Sequence, residues 1–134
     1  FISENEKHER LGPLVKELAA AHEAVAGTAM RMLSWFQSGR MQMVPLAANR
    51  VLQMMSELCC GWLLLDAARI ADEAIAKLPA GEAGAADRAF YQGKIHVATY
   101  FVKNVLPHAK HGAEILGRED TSPIDMPTEG FAAV

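Results

Sequence analysis

The sequence predicts an all-α fold: an up-down-up antiparallel bundle of three long helices, with a short N-terminal helical lead-in and an irregular C-terminal tail. Three observations point there. No run alternates apolar with polar residues, so the period-two signature of strands is missing. Alanine, the best helix former, is abundant. Glycine and proline punctuation divides the chain into three long stretches whose apolar residues recur at spacings of three and four, which lines one face of a helix.

The first long helix is read over residues 11–36. Its stripe is Leu11, Leu14, Val15, Leu18, Val25, Ala29, Met32, Leu33 and Phe36, and Gly12-Pro13 occupies the first turn, where a missing N–H costs little. Residues 2–10 form a separate lead-in. Gln37-Ser38-Gly39-Arg40 stops the helix, because Gly39 can take the left-handed conformation of a C-terminal cap.

Pro45 suits the opening turn of a second helix over residues 45–78, whose larger apolar positions are Leu46, Val51, Leu52, Met54, Met55, Leu58, Trp62, Leu65, Ile70, Ile75 and Leu78. Pro79-Ala80-Gly81 ends it. Its middle, Leu58-Cys59-Cys60-Gly61-Trp62-Leu63-Leu64-Leu65, is apolar right round the helix, which implies cover on more than one side. Asp87 is expected to N-cap a third helix carrying Phe90, Tyr91, Ile95, Ala98, Phe101, Val102, Val105 and Leu106. Pro107 should kink or restart that helix before His108, with Gly117 as its terminator. Residues 118–134, with Pro123, Pro127, Gly130 and four acidic side chains, are expected to be extended or loose. Helices of this length run about 40 to 50 Å, and short loops make neighbours antiparallel. The division is therefore 1–10 lead-in, 11–117 bundle and 118–134 tail.

Composition narrows function. At 134 residues, 51% hydrophobic and 22% charged, the chain has enough apolar content for one core. A net charge of −3 offers no basic excess for phosphates, so nucleic acid is not an expected partner. The eight-residue run from Leu58 to Leu65 is far short of the roughly 20 residues that span a bilayer, so membrane insertion is not expected. Cys59 and Cys60 are adjacent on a helix, cannot staple distant segments, and read as reduced, inert core thiols. With no secretory layout at the start, a cytoplasmic location is expected. A chain opening on Phe1 reads as a piece of a longer polypeptide.

No catalytic, cofactor-binding or metal-binding residue is assigned. His108 and His111 share a helix turn, but two ligands do not make a metal site and no Glu stands three residues before a His. They read as solvated, and His22 as a partly buried structural histidine. The methionines read mostly as core filler, and Lys94, Lys103 and Lys110 as a solvated face. The glycines form neither a P-loop nor a dinucleotide fingerprint. The residues that stand out are candidates for interdomain packing: Leu58, Gly61, Trp62 and Leu65 in the second helix, with Phe90, Tyr91 and Phe101 in the third.

The run Phe90-Tyr91-Gln92-Gly93-Lys94, followed by Ala98-Thr99-Tyr100-Phe101 and Val105-Leu106-Pro107, resembles the last helix of the C-terminal extension in long bacterial acyl-CoA dehydrogenases, the group similar to 3-methylmercaptopropionyl-CoA dehydrogenase. Gly61-Trp62-Leu63-Leu64-Leu65 with Ala67-Ala68 resembles that extension's middle helix, and the likeness covers about residues 10 to 117. The resemblance implies a parent enzyme that holds FAD and oxidises an acyl-CoA to the enoyl-CoA, a glutamate taking the α-proton as hydride passes to flavin. That equipment lies in the family's upstream domains, so no residue here inherits a catalytic role. The upstream domains and a homo-oligomer mate are the implied partners, and Phe1-Ile2-x-Glu4 the implied end of the preceding core. Two other readings stand beside it: a free-standing helical protein that dimerises through its second helix, and a small metal- or flavin-binding bundle enzyme.

Overall fold

A computed structural model describes residues 1–131. It is all-α: α1 (Ile2–Asn5), α2 (Gly12–Gln37), α3 (Met43–Ile75), α4 (Ala85–Asn104), α5 (Pro107–Gly117) and α6 (Ser122–Asp125), with 3₁₀ turns at Glu82–Gly84 and Thr128–Phe131. The three long arms are α2, α3 and the broken pair α4–α5, with α3 packing against each of the others.

The expected punctuation accounts for most element ends. Gly12 opens α2 with Pro13 in its first turn. Gly39 sits at φ +78°, and Arg40 N–H reaches back to Trp35 O at 2.9 Å, closing the helix in the Schellman manner. At Pro107 the third arm breaks as expected: the amides of Val105 and Leu106 both turn to Phe101 O, at 2.8 and 3.0 Å, and a new helix starts on the proline.

Several expectations are corrected. The stripe of α2 keeps a strict seven-residue step beyond Leu14, through Ala21 and Thr28 to Trp35, so those residues are buried while Ala29, Leu33 and Phe36 face outward. Helix α3 ends at Ile75, three residues before Leu78. Helix α4 begins at Ala85, ahead of Asp87, which does not cap it; in the first turn its charge favours the helix dipole. Gly117 is the last residue of α5, and the left-handed residue beyond it is Glu119, at φ +52°. The tail up to residue 131 contains α6 and a 3₁₀ turn, because Ile124 packs on the bundle; the expectation for 132–134 lies outside the described residues.

The main core joins Leu11, Leu14, Val15 and Leu18 of α2 to Leu65, Ala68 and Ala71 of α3 and to Ile95, Ala98 and Val102 of α4. Burying each larger side chain contributes about 1.5 to 3 kcal/mol. Two glycines let the arms approach. A methyl at Gly61 would lie 3.2 Å from Leu106 Cδ1, and one at Gly112 only 2.8 Å from Met54 Sδ. The lead-in is held as well, by Phe1 and Ile2 on the core and by Arg10 and His8 on Asp72, at 3.0 and 3.8 Å.

A second cluster, Trp35, Met43, Ala47 and Val51, fills the end of the bundle where α2 turns into α3. Glu119 locks it. Its carboxylate accepts hydrogen bonds from Arg40 Nη1 and, at 3.0 Å, from Arg31 Nη1. The Trp35 indole N–H, buried and without a full hydrogen bond, faces the same carboxylate. Arg40 first, then Trp35 and Arg31, hold the Glu119 carboxyl below its ordinary range, against an opposing desolvation effect.

Candidate functional site: an uncovered apolar face

Helix α3 buries one side and leaves the other open. Gly61, Leu65, Ala68 and Ala71 point into the core, whereas Leu52, Met55, Trp62, Leu63 and Ile70 are exposed, Trp62 by 47% and Leu63 by 59%. The apolar residues of this helix therefore surround it, as the run around Gly61 suggested, but neighbouring helices cover only part of the circumference.

Trp62 borders an open groove of about 630 Å³ between α1, α2 and α3. Phe1 and Ile2 form one wall, Leu18 and Ala19 another, and Leu58, Cys59 and Trp62 the third. Its polar side chains are Ser3, His22 and Glu23. Two expectations fail here for one reason. His22, expected partly buried, and both cysteines, expected in the core, are exposed, because among the described residues no further helix closes that side of the bundle. Likewise Met30, Met41, Met55 and Met126 are exposed and only Met43 and Met54 are fully buried, so core filling explains a minority of the methionines.

The singled-out residues divide between two places. Leu58 and Trp62 meet on the groove, while Gly61 and Leu65 lie beneath it in the core. On α4, Tyr91 and Phe101 are partly buried, and Phe90 is exposed, edge-on to Tyr91 at 5.5 Å with Lys94 Nζ 5.1 Å above its ring. A shallow cleft of about 200 Å³ joins Phe90 and Tyr91 to Ala67 and Ile70 of α3. Phe1, Ile2 and Leu18 belong to the groove but were not singled out by sequence; a signal was available only in the apolar start of the lead-in.

The length argument against a membrane span also needs correction. Taken whole, α3 is long and apolar enough to cross a bilayer, by length and composition alone. A central bundle helix with one open apolar side has the same composition, and the opposite side of α3 is packed into the core.

Among the described residues no group of three or more His, Cys, Asp or Glu could hold a metal ion. His108 Nδ1 lies 3.5 Å from Glu57 Oε1, which also accepts from Gln53 Nε2 at 3.0 Å, and His111 lies 3.7 Å from Glu114. The groove has no Arg or Lys to meet a pyrophosphate and carries a carboxylate instead, so these residues do not fit FAD or the nucleotide end of a CoA ester.

Comparison with known proteins decides the family. A family model described as acetyl-CoA dehydrogenase C-terminal like matches residues 1–127. The chain belongs to that family. It is 42% identical over 90 residues to a butyryl-CoA dehydrogenase of Syntrophomonas wolfei, covering 67% of this chain and 14% of that protein. It is 31% identical over 119 residues to the broad-specificity linear acyl-CoA dehydrogenase FadE5 of Mycobacterium tuberculosis, covering 85% of this chain and 19% of that one. The chain thus spans less than one fifth of the length of these relatives. It is an acyl-CoA dehydrogenase C-terminal-like domain, from a family that depends on FAD.

Proposed function

We propose that this acyl-CoA dehydrogenase region is a structural module whose Trp62 groove docks onto the upstream domains of its own polypeptide. In this reading the intact protein, of the long bacterial group, is a cytoplasmic flavoprotein that oxidises an acyl-CoA thioester to the enoyl-CoA. FAD supplies the hydride acceptor there, and the reacting groups belong to the upstream domains. The residues of this module position and stabilise; none touches substrate.

The observation that carries the reading is the half-exposed Trp62 over an apolar groove whose wall includes Phe1 and Ile2. Any segment joined ahead of Phe1 emerges beside that groove, so an upstream domain meets it without a long linker. An exposed aromatic side chain in such a patch is the usual anchor of an interface. The test uses the intact polypeptide: deleting residues 10–134, or making Trp62→Glu, should lower flavin retention and turnover and open the junction to proteolysis. Unchanged flavin content, assembly and turnover in the deletion would refute the structural role.

A further inference from the structure

We propose that His8 makes the lead-in a proton-operated strap. Neutral, its imidazole ties down the turn of residues 8–12 that feeds α2; protonated in mild acid, it releases that turn and loosens the Phe1 and Ile2 wall of the groove. The proposal rests on the docking reading above only for its consequence, because Phe1 and Ile2 line the groove that the upstream domains take.

Three successive amides end on this one residue. Arg10 N–H and Leu11 N–H both donate to His8 Nδ1, at 3.3 Å each, and Gly12 N–H donates to the His8 carbonyl oxygen at 2.8 Å. Leu11 is 1% exposed, so its amide has no ready substitute for the ring nitrogen. A nitrogen that accepts a hydrogen bond must keep its lone pair, so Nδ1 is bare and the ring proton sits on Nε2. That nitrogen lies 3.8 Å from Asp72 Oδ2 on α3, with the His8 side chain 23% exposed.

An imidazolium carries a proton on both nitrogens and accepts nothing. A second proton on His8 would therefore face two N–H donors, and either the turn opens or the ring leaves it. Asp72 compensates only in part. Arg10 Nη1 already holds its Oδ1 at 3.0 Å, so the new positive charge arrives beside an existing one. Helix α1 contributes the Asn5 carbonyl, which accepts from His8 N–H at 3.0 Å, and among the described residues no other ion pair from any element reaches His8, Arg10 or Asp72. The strapped turn thus binds fewer protons than the released one, and by linkage its stability is present at high pH and lost as pH falls.

The test is hydrogen exchange on the intact polypeptide at about pH 8 and about pH 5, with rates corrected for the intrinsic effect of pH. Protection of a peptide covering residues 8–12 should fall about five- to tenfold in acid, the worth of one helix cap, while peptides from α3 and α4 keep theirs. His8→Asn offers an oxygen acceptor to the same two amides and does not titrate, so it should stay protected at both pH values. His8→Ala should be unprotected at both. Equal protection of the parent at the two pH values, the same acid loss in His8→Asn, or a His8→Ala turn as protected as the parent at high pH would overturn the proposal. Should the His8 variants also lose protection in α3 and α4, Asp72→Asn decides, because it leaves Nδ1 untouched: it should keep the parent's acid loss, and a variant that no longer responds puts the switch on the carboxylate and overturns the proposal. The exchange is independent of the groove: if Trp62→Glu leaves flavin and turnover untouched, the docking reading fails while residues 8–12 still decide the strap.

Discussion

The two tryptophans occupy similar settings in the sequence, each within a long amphipathic stretch, and opposite ones in the molecule. Trp35 is 1% exposed, enclosed by Met43, Ala47 and Val51 and closed over by the Arg31–Glu119–Arg40 clasp. Trp62 is 47% exposed on the rim of a groove. The first is a residue of folding, since everything that covers it is present in the same chain. The second, under the docking proposal, is a residue of assembly. A large aromatic side chain left half in water along a helix that is apolar on every side is a place where the fold stops short of covering itself.

Substitutions can widen or close that contrast. Trp35→Ala should be the most damaging, costing about 3 to 5 kcal/mol in chemical denaturation, because the cavity sits where three chain segments meet. Gly112→Ala comes next, at about 1 to 3 kcal/mol, since its methyl must displace the buried Met54 side chain. Trp62→Ala should cost the segment itself only about 1 kcal/mol, with half of the ring already in water. In the intact polypeptide the same change should cost more, and an equal loss in both settings would erase the distinction between the two tryptophans. Glu119→Gln should have the smallest effect, and it is dependent on pH. Its folded pKa is lowered, so the clasp contributes stability above the ordinary carboxylate value and loses it as pH falls through the lowered one. The variant should be less stable than the parent at neutral pH, and the two melting curves should converge in acid.

Much of the architecture was legible because the signals were local. Gly39, Gly12-Pro13 and Pro107 act through their own backbone, and their effects are where elementary sterics puts them. The apolar ring around Gly61 likewise made it legible that α3 is apolar on several sides, one of which the structure leaves exposed. What was not legible depended on partners distant in sequence. Trp35 lies on the same seven-residue step as Leu14, Ala21 and Thr28, yet the equally apolar Leu33 and Phe36 beside it drew the expected stripe to the wrong side. Cys59, Cys60 and His22 were read as enclosed because their neighbours are apolar, but enclosure needs a facing helix, and spacing along one helix carries no information about whether one exists. Glu119 gave no warning: its role comes from two arginines about 80 and 90 residues away.

The break at Pro107 has a mechanical meaning. An interrupted helix is ordinarily the weak joint of an arm, but Leu106, the residue just before the proline, is seated against the bare backbone of Gly61, where no side chain could fit without displacing it. Bending the arm would unseat Leu106 first. The elbow is thus pinned to α3 at the residue where the arm breaks, so the interruption of the helix falls on a buried contact and not on an open hinge.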